Sequence, residues 1–356
     1  MEDFYIELND SSNIQELVDL AKTNYDSGDI INKNYINWQY NENPLGKAFI
    51  TVARATKNNE LVGQYIVIPQ EYLINNKIEK GTLSLNTLTR EDFRGRGLFT
   101  KMALQTYDEC ANKNHNFTVG FPNQQSYPGF IKKLGFKYLG NIQLLIKPLN
   151  PIKIFLNKIK KQEKHGGEVQ LNFKKYSSSN INIDLFSINN DKEKYLSFWQ
   201  EYSTQNIIQL NKSIEYLKWR YIDIPTRNYS IVKLEKNNKI IGLVIIRVEN
   251  TLGNKTALLM DVMLINNAKF YNDNNVFLEY LTKTLRQNKI ELIACLISEN
   301  SYENNILKKN KFIKVPQKIL PQPIPYILRI HKEFEGSANI NKLDNWHLCF
   351  GDYDIF

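Results

Sequence analysis

Apolar residues recur with two different periods along the first half of the chain, and each period predicts its own type of element. Helical spacing is found in three segments, residues 13–24, 97–113 and 126–134, the last ending at Gly135. Four runs alternate or are rich in β-branched residues, as strands are: "AFITVARA", "LVGQYIVIP", "TLSLNTLT" and "FTVGF". The polar "TKNNE" between the first two runs predicts a hairpin. The order of these elements predicts an α/β (α+β) unit built on a mixed sheet.

The second half of the chain repeats this pattern in the same order. "YINWQYNENP" (35–44) resembles "YLKWRYIDIP" (216–225), and both contain Trp-x-Tyr-x-x-x-Pro. The remaining matches pair "KNNELVG" with "KNNKIIG", "SLNTLT" (84–89) with "LMDVML" (259–264), and "SY" at 126–127 with "SY" at 301–302. Because the matches keep their order, they predict two copies of one fold.

A change of composition separates the two copies. Prolines, a basic run, paired glycines and a serine cluster mark the segment between them. We therefore predict a first domain at 1–150, a basic linker or connecting helix at 151–180, and a second domain with the C-terminal tail at 181–356.

A basic amphipathic helix is predicted inside this linker, at residues 152–161. Its apolar side consists of Ile152, Ile154, Phe155, Leu156 and Ile159. A helix docked on its own domain through that side is the favoured reading. A role at a membrane surface stays open.

Charge and cysteine content narrow the class of protein. The 356 residues carry a net charge of +9, which suits an anionic partner. No helix-turn-helix, zinc-finger or RNA-binding pattern is found, so a nucleic-acid partner is not expected. The three cysteines are too far apart for a disulfide framework or a zinc site, and no metal is expected. The start lacks a secretory signal and no run is long enough to span a membrane, so we expect a cytoplasmic protein. A phosphate-bearing small-molecule substrate is one of the anionic partners that the charge allows.

The stretch "TREDFRGRGLFTKM" places a glycine-containing turn between a predicted strand and a predicted helix. Gly95 and Gly97 allow a close approach to the backbone, and the helix start presents free N–H groups. Arg94 and Arg96 add donors suited to phosphate oxygens. The turn is typical of an anion site for a pyrophosphate, although a plain helix start stays open. The second copy has "INNAKFYNDNNVFL" here, without glycine, so this site is expected only in the first copy.

The same stretch resembles the acetyl-CoA motif of the GNAT N-acetyltransferase superfamily, Gln/Arg-x-x-Gly-x-Gly/Ala. Arg94, Gly97 and Phe99 hold its first, fourth and sixth positions, and Phe stands where Gly or Ala is usual. "FPNQQSYPGFIKKLGF" resembles the next motif of the family. The resemblance covers roughly residues 1–147 and implies two tandem GNAT-like domains, the second degenerate. The sequences "WQYNENPLG" and "NTLTREDFRGRGLFTKM" also resemble those of GNAT proteins found with bacterial surface-polysaccharide enzymes. Those proteins N-acetylate nucleotide-linked amino sugars.

The resemblance implies acetyl-CoA as co-substrate, bound where strands 83–89 and 117–121 splay apart. Backbone N–H groups near Leu88 and Thr89 would face the thioester, those of residues 95–100 the pyrophosphate, and Asn123 the pantetheine arm. The implied cofactor-binding residues are Leu88, Thr89, Arg94, Gly95, Arg96, Gly97, Leu98, Phe99, Thr100 and Asn123. Asn86 would orient the acceptor.

The catalytic acid and base stay open at this point. The family's usual acidic tyrosine is replaced by Ile131, and Tyr127 is the nearest substitute, with a packing role as its alternative. Candidate bases are Asp261, which could equally be a structural hub, and the tail residues His347 and Asp352. Asp354 and the terminal carboxylate of Phe356 belong to the same tail, whose alternative role is to close the second domain.

The expected activity is acetyl-CoA-dependent N-acetylation of an amino sugar, which is expected to be nucleotide-linked, by direct amine attack on the thioester. The alternatives are another small amine, such as an aminoglycoside or polyamine, and a non-catalytic CoA-binding protein. A monomer and a homodimer are both compatible with the sequence.

Overall fold

The computed structural model describes residues 3–160, 171–178, 180–320 and 322–353. The helices are α1 Ile14–Lys22, α2 Lys33–Asn41, α3 Leu98–Asn112, α4 Tyr127–Lys133, α5 Pro151–Lys160, α6 Ile188–Tyr202, α7 Ile214–Tyr221, α8 Tyr271–Gln287 and α9 Tyr302–Lys309. The strands are β1 Phe4–Asn9, β2 Phe49–Ala55, β3 Leu61–Ile74, β4 Lys77–Thr89, β5 Phe117–Gly120, β6 Lys137–Asn141, β7 Gln143–Pro148, β8 Tyr176–Ser177, β9 Ile181–Leu185, β10 Ile208–Leu210, β11 Ser230–Lys236, β12 Lys239–Thr251, β13 Asn254–Leu264, β14 Leu292–Ile297, β15 Ile313–Lys314, β16 Pro325–Ile330 and β17 Trp346–His347.

The chain divides into two compact units, and neither is contiguous in sequence. Unit 1 consists of Met1–Asn141, Asp223–Thr226 and Ile324–Leu343. Unit 2 consists of Ile142–Ile222, Arg227–Pro323 and Asp344–Phe356. The contiguous domains 1–150 and 181–356 with the linker 151–180 stay a sequence-based prediction, and residues 161–170 of that linker lie outside the described residues.

The sheet of unit 1 has the strand order β1-β2-β3-β4-β5-β16-β6. Strands β4 and β5 run parallel, and the other neighbours are antiparallel. Strand β16, from the C-terminal part of the chain, lies between β5 and β6. The predicted mixed sheet and its hairpin of β2 and β3 are confirmed.

Helix α3 contributes much of the core of unit 1. Its buried residues recur every three or four positions: Leu98, Met102, Ala103, Thr106, Tyr107 and Cys110. This spacing puts them on one helical face, which packs in a cluster with side chains of β2, β3, α4 and β16. The N-terminus of the helix is thereby fixed at the end of the β4 segment.

The sheet of unit 2 has the order β15-β7-β14-β13-β12-β11-β9-β8. Strands β13 and β14 are parallel, as β4 and β5 are in unit 1. The repeated sequences fall on equivalent elements: the Trp-x-Tyr motifs on α2 and α7, the "KNN" turns before β3 and β12, and the "SY" pairs at the starts of α4 and α9. The two-copy prediction is therefore confirmed by the order of elements, with helices flanking a mixed sheet in each unit.

Candidate functional site

The site in unit 1 begins where two parallel strands part. Pairing of β4 with β5 ends at Ser84 and Gly120. Beyond this point β4 continues to Thr89 with β3 alone as its partner among the described strands of unit 1. The edge of β4 from residue 85 onward therefore faces a gap, as predicted for strands 83–89 and 117–121.

A bulge in β4 at Asn86 redirects the strand at the mouth of this gap. Asn86 has a left-handed φ of 48°, uncommon for a residue other than glycine. Its side-chain Nδ2 donates to Gln39 Oε1 at 2.8 Å and to the Tyr40 hydroxyl at 2.9 Å. Its carbonyl oxygen accepts from Gln64 Nε2 at 2.9 Å. These bonds hold the left-handed backbone at Asn86 in place, and Asn86 is not among the described residues that line the adjacent cleft.

The glycine turn precedes α3 as predicted. Gly95 and Gly97 have φ of +78° and +82°, which favour glycine, and Gly97 is the N-cap residue of the helix. No described atom lies within 4 Å of where a Cβ would stand on either glycine. The first N–H groups of α3 lack intrahelical acceptors by geometry. An anion can therefore approach this backbone closely.

The two arginines of the turn point to different places. The Arg94 guanidinium donates to Asn24 Oδ1 at 2.9 Å and to the Thr89 carbonyl at 3.3 Å, at the wall of the cleft beside the gap. The Arg96 guanidinium donates instead to Asp3 Oδ2 at 2.8 Å and lies in a separate depression. Arg94 is thus the better placed of the two to meet a ligand in the cleft.

A cleft of about 510 Å³ lies between the end of β4 and the starts of α3 and α4. Five predicted residues line it: Leu88, Thr89, Arg94, Phe99 and Asn123. The sequence reasoning missed its other lining residues: Asn24, Tyr25, Thr87, Gln125, Ser126 and Gly129. Gly129 and the "NQQS" run lie inside a quoted motif, whereas nothing in the sequence pointed to Asn24 and Tyr25.

Phe99 shows how the departure at the sixth motif position is accommodated. Its ring packs edge-to-face on Phe130 and Tyr65, with centroids 5.4 and 5.9 Å apart. A Cβ on Gly129 would lie 3.0 Å from the Phe99 ring, so the ring uses the space that this glycine leaves. The side chain therefore packs against the core, and the Phe99 N–H stays at the start of the helix.

Asn123 forms a side-chain turn just before α4. Its Oδ1 accepts from the N–H of Gln125 at 3.0 Å and of Ser126 at 2.9 Å, so Nδ2 is the atom available to a ligand. Tyr127 packs edge-to-face on Tyr138 with centroids 6.0 Å apart and contacts the hydrophobic core. Tyr127 does not line the cleft among the residues described, which favours the packing role.

A pair of buried tyrosine hydroxyls, those of Tyr65 and Tyr107, reaches the half-buried Ser84 at the point where the strands part. Ser84 Oγ is 3.0 Å from the Tyr65 hydroxyl, which also bonds the Tyr107 hydroxyl. Burial raises the pKa of Tyr65 and of Tyr107 above the ordinary range, so both stay protonated at neutral pH. The sequence reasoning missed this pair because nothing in the spacing brings β3, β4 and α3 together.

Comparison with known proteins assigns this architecture. Residues 7–139 match the family described as acetyltransferase (GNAT) domain. This match spans 133 of the 356 residues, all of them in unit 1. The fold is similar over most of the chain to a GCN5-related N-acetyltransferase from Anabaena variabilis ATCC 29413, at 14% identity and a TM-score of 0.65, covering 92% of this chain and 73% of that one. It is also similar to N-myristoyltransferase of Saccharomyces cerevisiae with bound myristoyl-CoA, at 12% identity and a TM-score of 0.62, covering 94% and 84%.

No curated protein sequence matches this chain. The chain is an acyltransferase, and acetyl-CoA is the co-substrate that GNAT acetyltransferases use. The described helices include none long and apolar enough to cross a membrane.

Unit 2 has an equivalent gap, but a segment of the chain fills it. Pairing of β13 with β14 ends at Leu259 and Cys295, next to a bulge in β13. Strand β14 continues to Ile297, which forms an antiparallel bridge with Cys349. The Ser298 hydroxyl donates to the Trp346 carbonyl at 2.6 Å and accepts from the Leu348 N–H at 2.7 Å. The tail therefore runs beside β14 at the position where unit 1 has an open cleft.

The candidate base Asp261 lies at this filled gap, fully buried. It forms an ion pair with Lys212 and accepts from the Tyr221 hydroxyl and, at 2.5 Å, the Cys349 thiol. Asp352 lies 3.1 Å from the Lys212 ammonium and accepts the Cys349 N–H at 2.9 Å. Burial lowers the pKa of Lys212, but the two carboxylates outweigh burial and raise it above the ordinary value. These contacts favour the structural hub.

The third candidate base, His347, is buried in a separate group of unit 2. Its Nε2 is 3.3 Å from Glu303 Oε2 and 3.3 Å from the Tyr202 hydroxyl. Tyr202 also donates to Glu303 Oε1 at 3.0 Å. The segment is a strand at Trp346–His347 and continues as a short 3-10 turn at Phe350–Asp352. Asp354 and the Phe356 carboxylate lie outside the described residues.

Proposed function

We propose that this acyltransferase moves the acetyl group of acetyl-CoA to the amino group of an amino sugar, carried on a nucleotide, in surface-polysaccharide biosynthesis. The observation that carries the transferase part is the cleft of unit 1 between the parted strands and the glycine turn. The acceptor is supported by the resemblance of "WQYNENPLG" and by a net charge of +9, which suits a diphosphate-bearing acceptor. Aminoglycosides and polyamines are cationic and would prefer an acidic pocket.

We propose the following binding roles for the residues in and beside the cleft. The N–H groups of residues 95–100 would hold the pyrophosphate, with Arg94 as a charge-assisted donor from the wall. Asn123 Nδ2 would donate to the pantetheine arm. The N–H groups of Leu88 and Thr89, just past the bulge, would face the thioester oxygen and stabilise the charge that develops there.

The chemistry requires one proton to be removed and one supplied. The acceptor nitrogen forms a bond to the acyl carbon and loses a proton, while the carbon–sulfur bond breaks and the thiolate gains one. Tyr127 stays the predicted acid. Asp261, Asp352 and His347 stay predictions for the base, although their buried contacts favour a role in stabilising unit 2.

Calorimetric titration of acetyl-CoA tests the binding site. We expect the wild type to bind and Gly97→Trp to lose binding, because a side chain there strains the left-handed turn and fills the approach to the helix start. Lys269→Trp, an exposed change in the corresponding turn of unit 2, is the matched control. No binding by the wild type would reject the proposed site.

Thiol release from acetyl-CoA then tests the acceptor. Amino-sugar nucleotides, free amino sugars, aminoglycosides and polyamines are compared at equal concentration. Release that is fastest with the nucleotide-linked sugars supports the proposal. Turnover confined to the polyamines or aminoglycosides would reject the acceptor while leaving the acetyltransferase assignment intact.

A further inference from the structure

Helix α5 contacts unit 2 through its polar side. The Lys153 ammonium forms an ion pair with Glu291, a buried carboxylate. The Asn157 amide donates to Glu291 Oε2 at 3.0 Å and to the Gly253 carbonyl at 3.1 Å. Lys153 and Asn157 are one helical turn apart, so they define the side of α5 that faces the protein.

The apolar side of the same helix faces outward. Ile152 is 75% exposed, Phe155 64% and Leu156 47%. The prediction that α5 docks through its apolar side is therefore wrong for these three residues, Ile154 is half-buried, and the side chain of Ile159 lies outside those described. A surface helix of a soluble domain normally buries its apolar stripe, so this orientation is reversed.

A fourth apolar side chain extends this surface. Leu252, at the tip of the β12–β13 hairpin, is 77% exposed and has a left-handed φ of 50°. Its neighbour Gly253 accepts the hydrogen bond from Asn157, which ties the hairpin tip to α5. We call Ile152, Phe155, Leu156 and Leu252 the apolar patch. Four large exposed apolar side chains on two tied elements are more than scattered surface residues.

Three lysines of the described residues lie on or next to the elements that carry the apolar patch. Lys153, Lys255 and Lys289 lie close enough that Lys153 and Lys289 add to the effect of burial in lowering the pKa of Lys255. The nearby Glu291 is buried and already paired with Lys153, so it offsets little of this charge at the surface.

We propose that the apolar patch and its lysines bind the surface of an anionic membrane, with α5 lying in the interface. Apolar side chains on one side of a helix and lysines near them match the requirements for such binding. A second copy of the chain fits less well, because a symmetric contact would place like-charged lysines against each other. Four side chains also cover far less than the roughly 800 Å² per partner of a stable protein interface.

Co-sedimentation of the full chain with vesicles tests the proposal. Vesicles of phosphatidylcholine alone are compared with vesicles that also contain phosphatidylglycerol. We expect partitioning about tenfold stronger with the anionic lipid, weakened by added salt. The triple variant Ile152→Ser, Phe155→Ser, Leu156→Ser should lose about tenfold, and Leu252→Ser a smaller part, because both remove apolar surface from the interface.

Ile319→Ser is the matched control, since Ile319 is 71% exposed in unit 2 but belongs to neither α5 nor the hairpin. It should partition like the wild type. All changed residues are exposed, so thermal unfolding should be unaltered and loss of binding cannot be attributed to misfolding. Absence of wild-type binding to anionic vesicles, or equal binding by the triple variant, would overturn the proposal. So would a wild-type dimer that the triple variant abolishes without any vesicle binding.

Discussion

Units 1 and 2 each contain a pair of parallel strands that part beside a bulge, yet only one of the gaps is open. In unit 1 the gap beyond Ser84 and Gly120 leads into the cleft. In unit 2 the tail runs beside Ile297 and places Cys349 next to the buried Asp261. The same strand geometry is therefore filled by the chain itself in unit 2 and leads into a cleft in unit 1.

The turns before the corresponding helices differ in the same sense. Gly97 caps α3 with a left-handed backbone and no side-chain acceptor of its own. The turn before α8 begins at Asn267, whose Oδ1 accepts the Lys269 N–H at 3.0 Å. A side chain of the protein thus satisfies a donor in unit 2, whereas the N-cap of α3 in unit 1 provides no side-chain acceptor. The difference teaches that a fold can be kept while the chemistry of its helix start is replaced.

The largest effect is expected from Lys212→Met in unit 2. This change leaves the buried carboxylates of Asp261 and Asp352 without their cation, and we expect a loss of about 3–5 kcal/mol in the free energy of unfolding at neutral pH. Urea denaturation measures it. Lys314→Met removes an exposed pair with Glu299 and should cost less than about 1 kcal/mol. An equal cost for the two variants would mean that the filled gap is not stabilised by this cluster.

A smaller effect is expected from Phe99→Ala in unit 1. The ring packs on Phe130 and Tyr65, so its removal should cost about 2 kcal/mol of unfolding free energy. Affinity for acetyl-CoA should change less than about threefold, because the Phe99 N–H is kept. A large loss of affinity with unchanged stability would contradict the inward placement of the ring.

Arg94→Ala tests whether the turn of unit 1, unlike that of unit 2, contributes to acetyl-CoA affinity. Removing a charge-assisted donor from the cleft wall should weaken acetyl-CoA binding about tenfold, roughly 1.4 kcal/mol. Lys269→Ala, in the equivalent turn of unit 2, should leave affinity unchanged, and Arg96→Ala should have little effect because Arg96 pairs with Asp3. Calorimetric titration of the three variants decides, and a strong effect of Lys269→Ala would place a second site in unit 2.

The smallest effect per residue is expected from the protonation of two buried histidines in unit 1. Burial, with nearby positive charges, lowers the pKa of His115 to about 4 and of His331 to about 3. A lowered pKa means that the unfolded chain binds more protons, so unit 1 should lose stability as pH falls below about 6.5. Between pH 6.5 and 5.5 the loss should be about 1 kcal/mol for each histidine. Hydrogen exchange of unit 1 peptides measures it, and His115→Leu should reduce the slope; an unchanged slope would exclude His115 as its source.

Local patterns in the sequence were sufficient to predict most elements of unit 1 and the relation between the units. Helix α3 was predicted within one residue at each end, because its apolar period and the glycine turn agree. The two-copy prediction rested on several sequence matches that occur in the same order in both halves. Two copies of one fold must have their elements in the same order along the chain, so this order was informative. The prediction of cleft residues succeeded for Leu88, Thr89 and Arg94. The motif and the order of elements both placed these residues at the end of the same strand.

Long-range placement was less accessible. Asn24 and Tyr25 reach the cleft from the end of α1, and no local pattern links that helix to a turn so far along the chain. The orientation of α5 was predicted wrongly because periodicity identifies an apolar side without saying what it faces. Here Asn157 and Lys153 find acceptors on unit 2, and those polar contacts fix the orientation of the helix.

The position of β16 has a consequence for synthesis on the ribosome. This strand pairs with β5 on one side and β6 on the other, but it is translated after β1 to β6 of the same sheet. Until residues 325–330 emerge, the nascent unit 1 must keep the edges of β5 and β6 unpaired, and exposed strand edges invite pairing with other chains. A chain truncated before residue 325 should therefore aggregate, and a slow step late in translation should be more harmful than an early one.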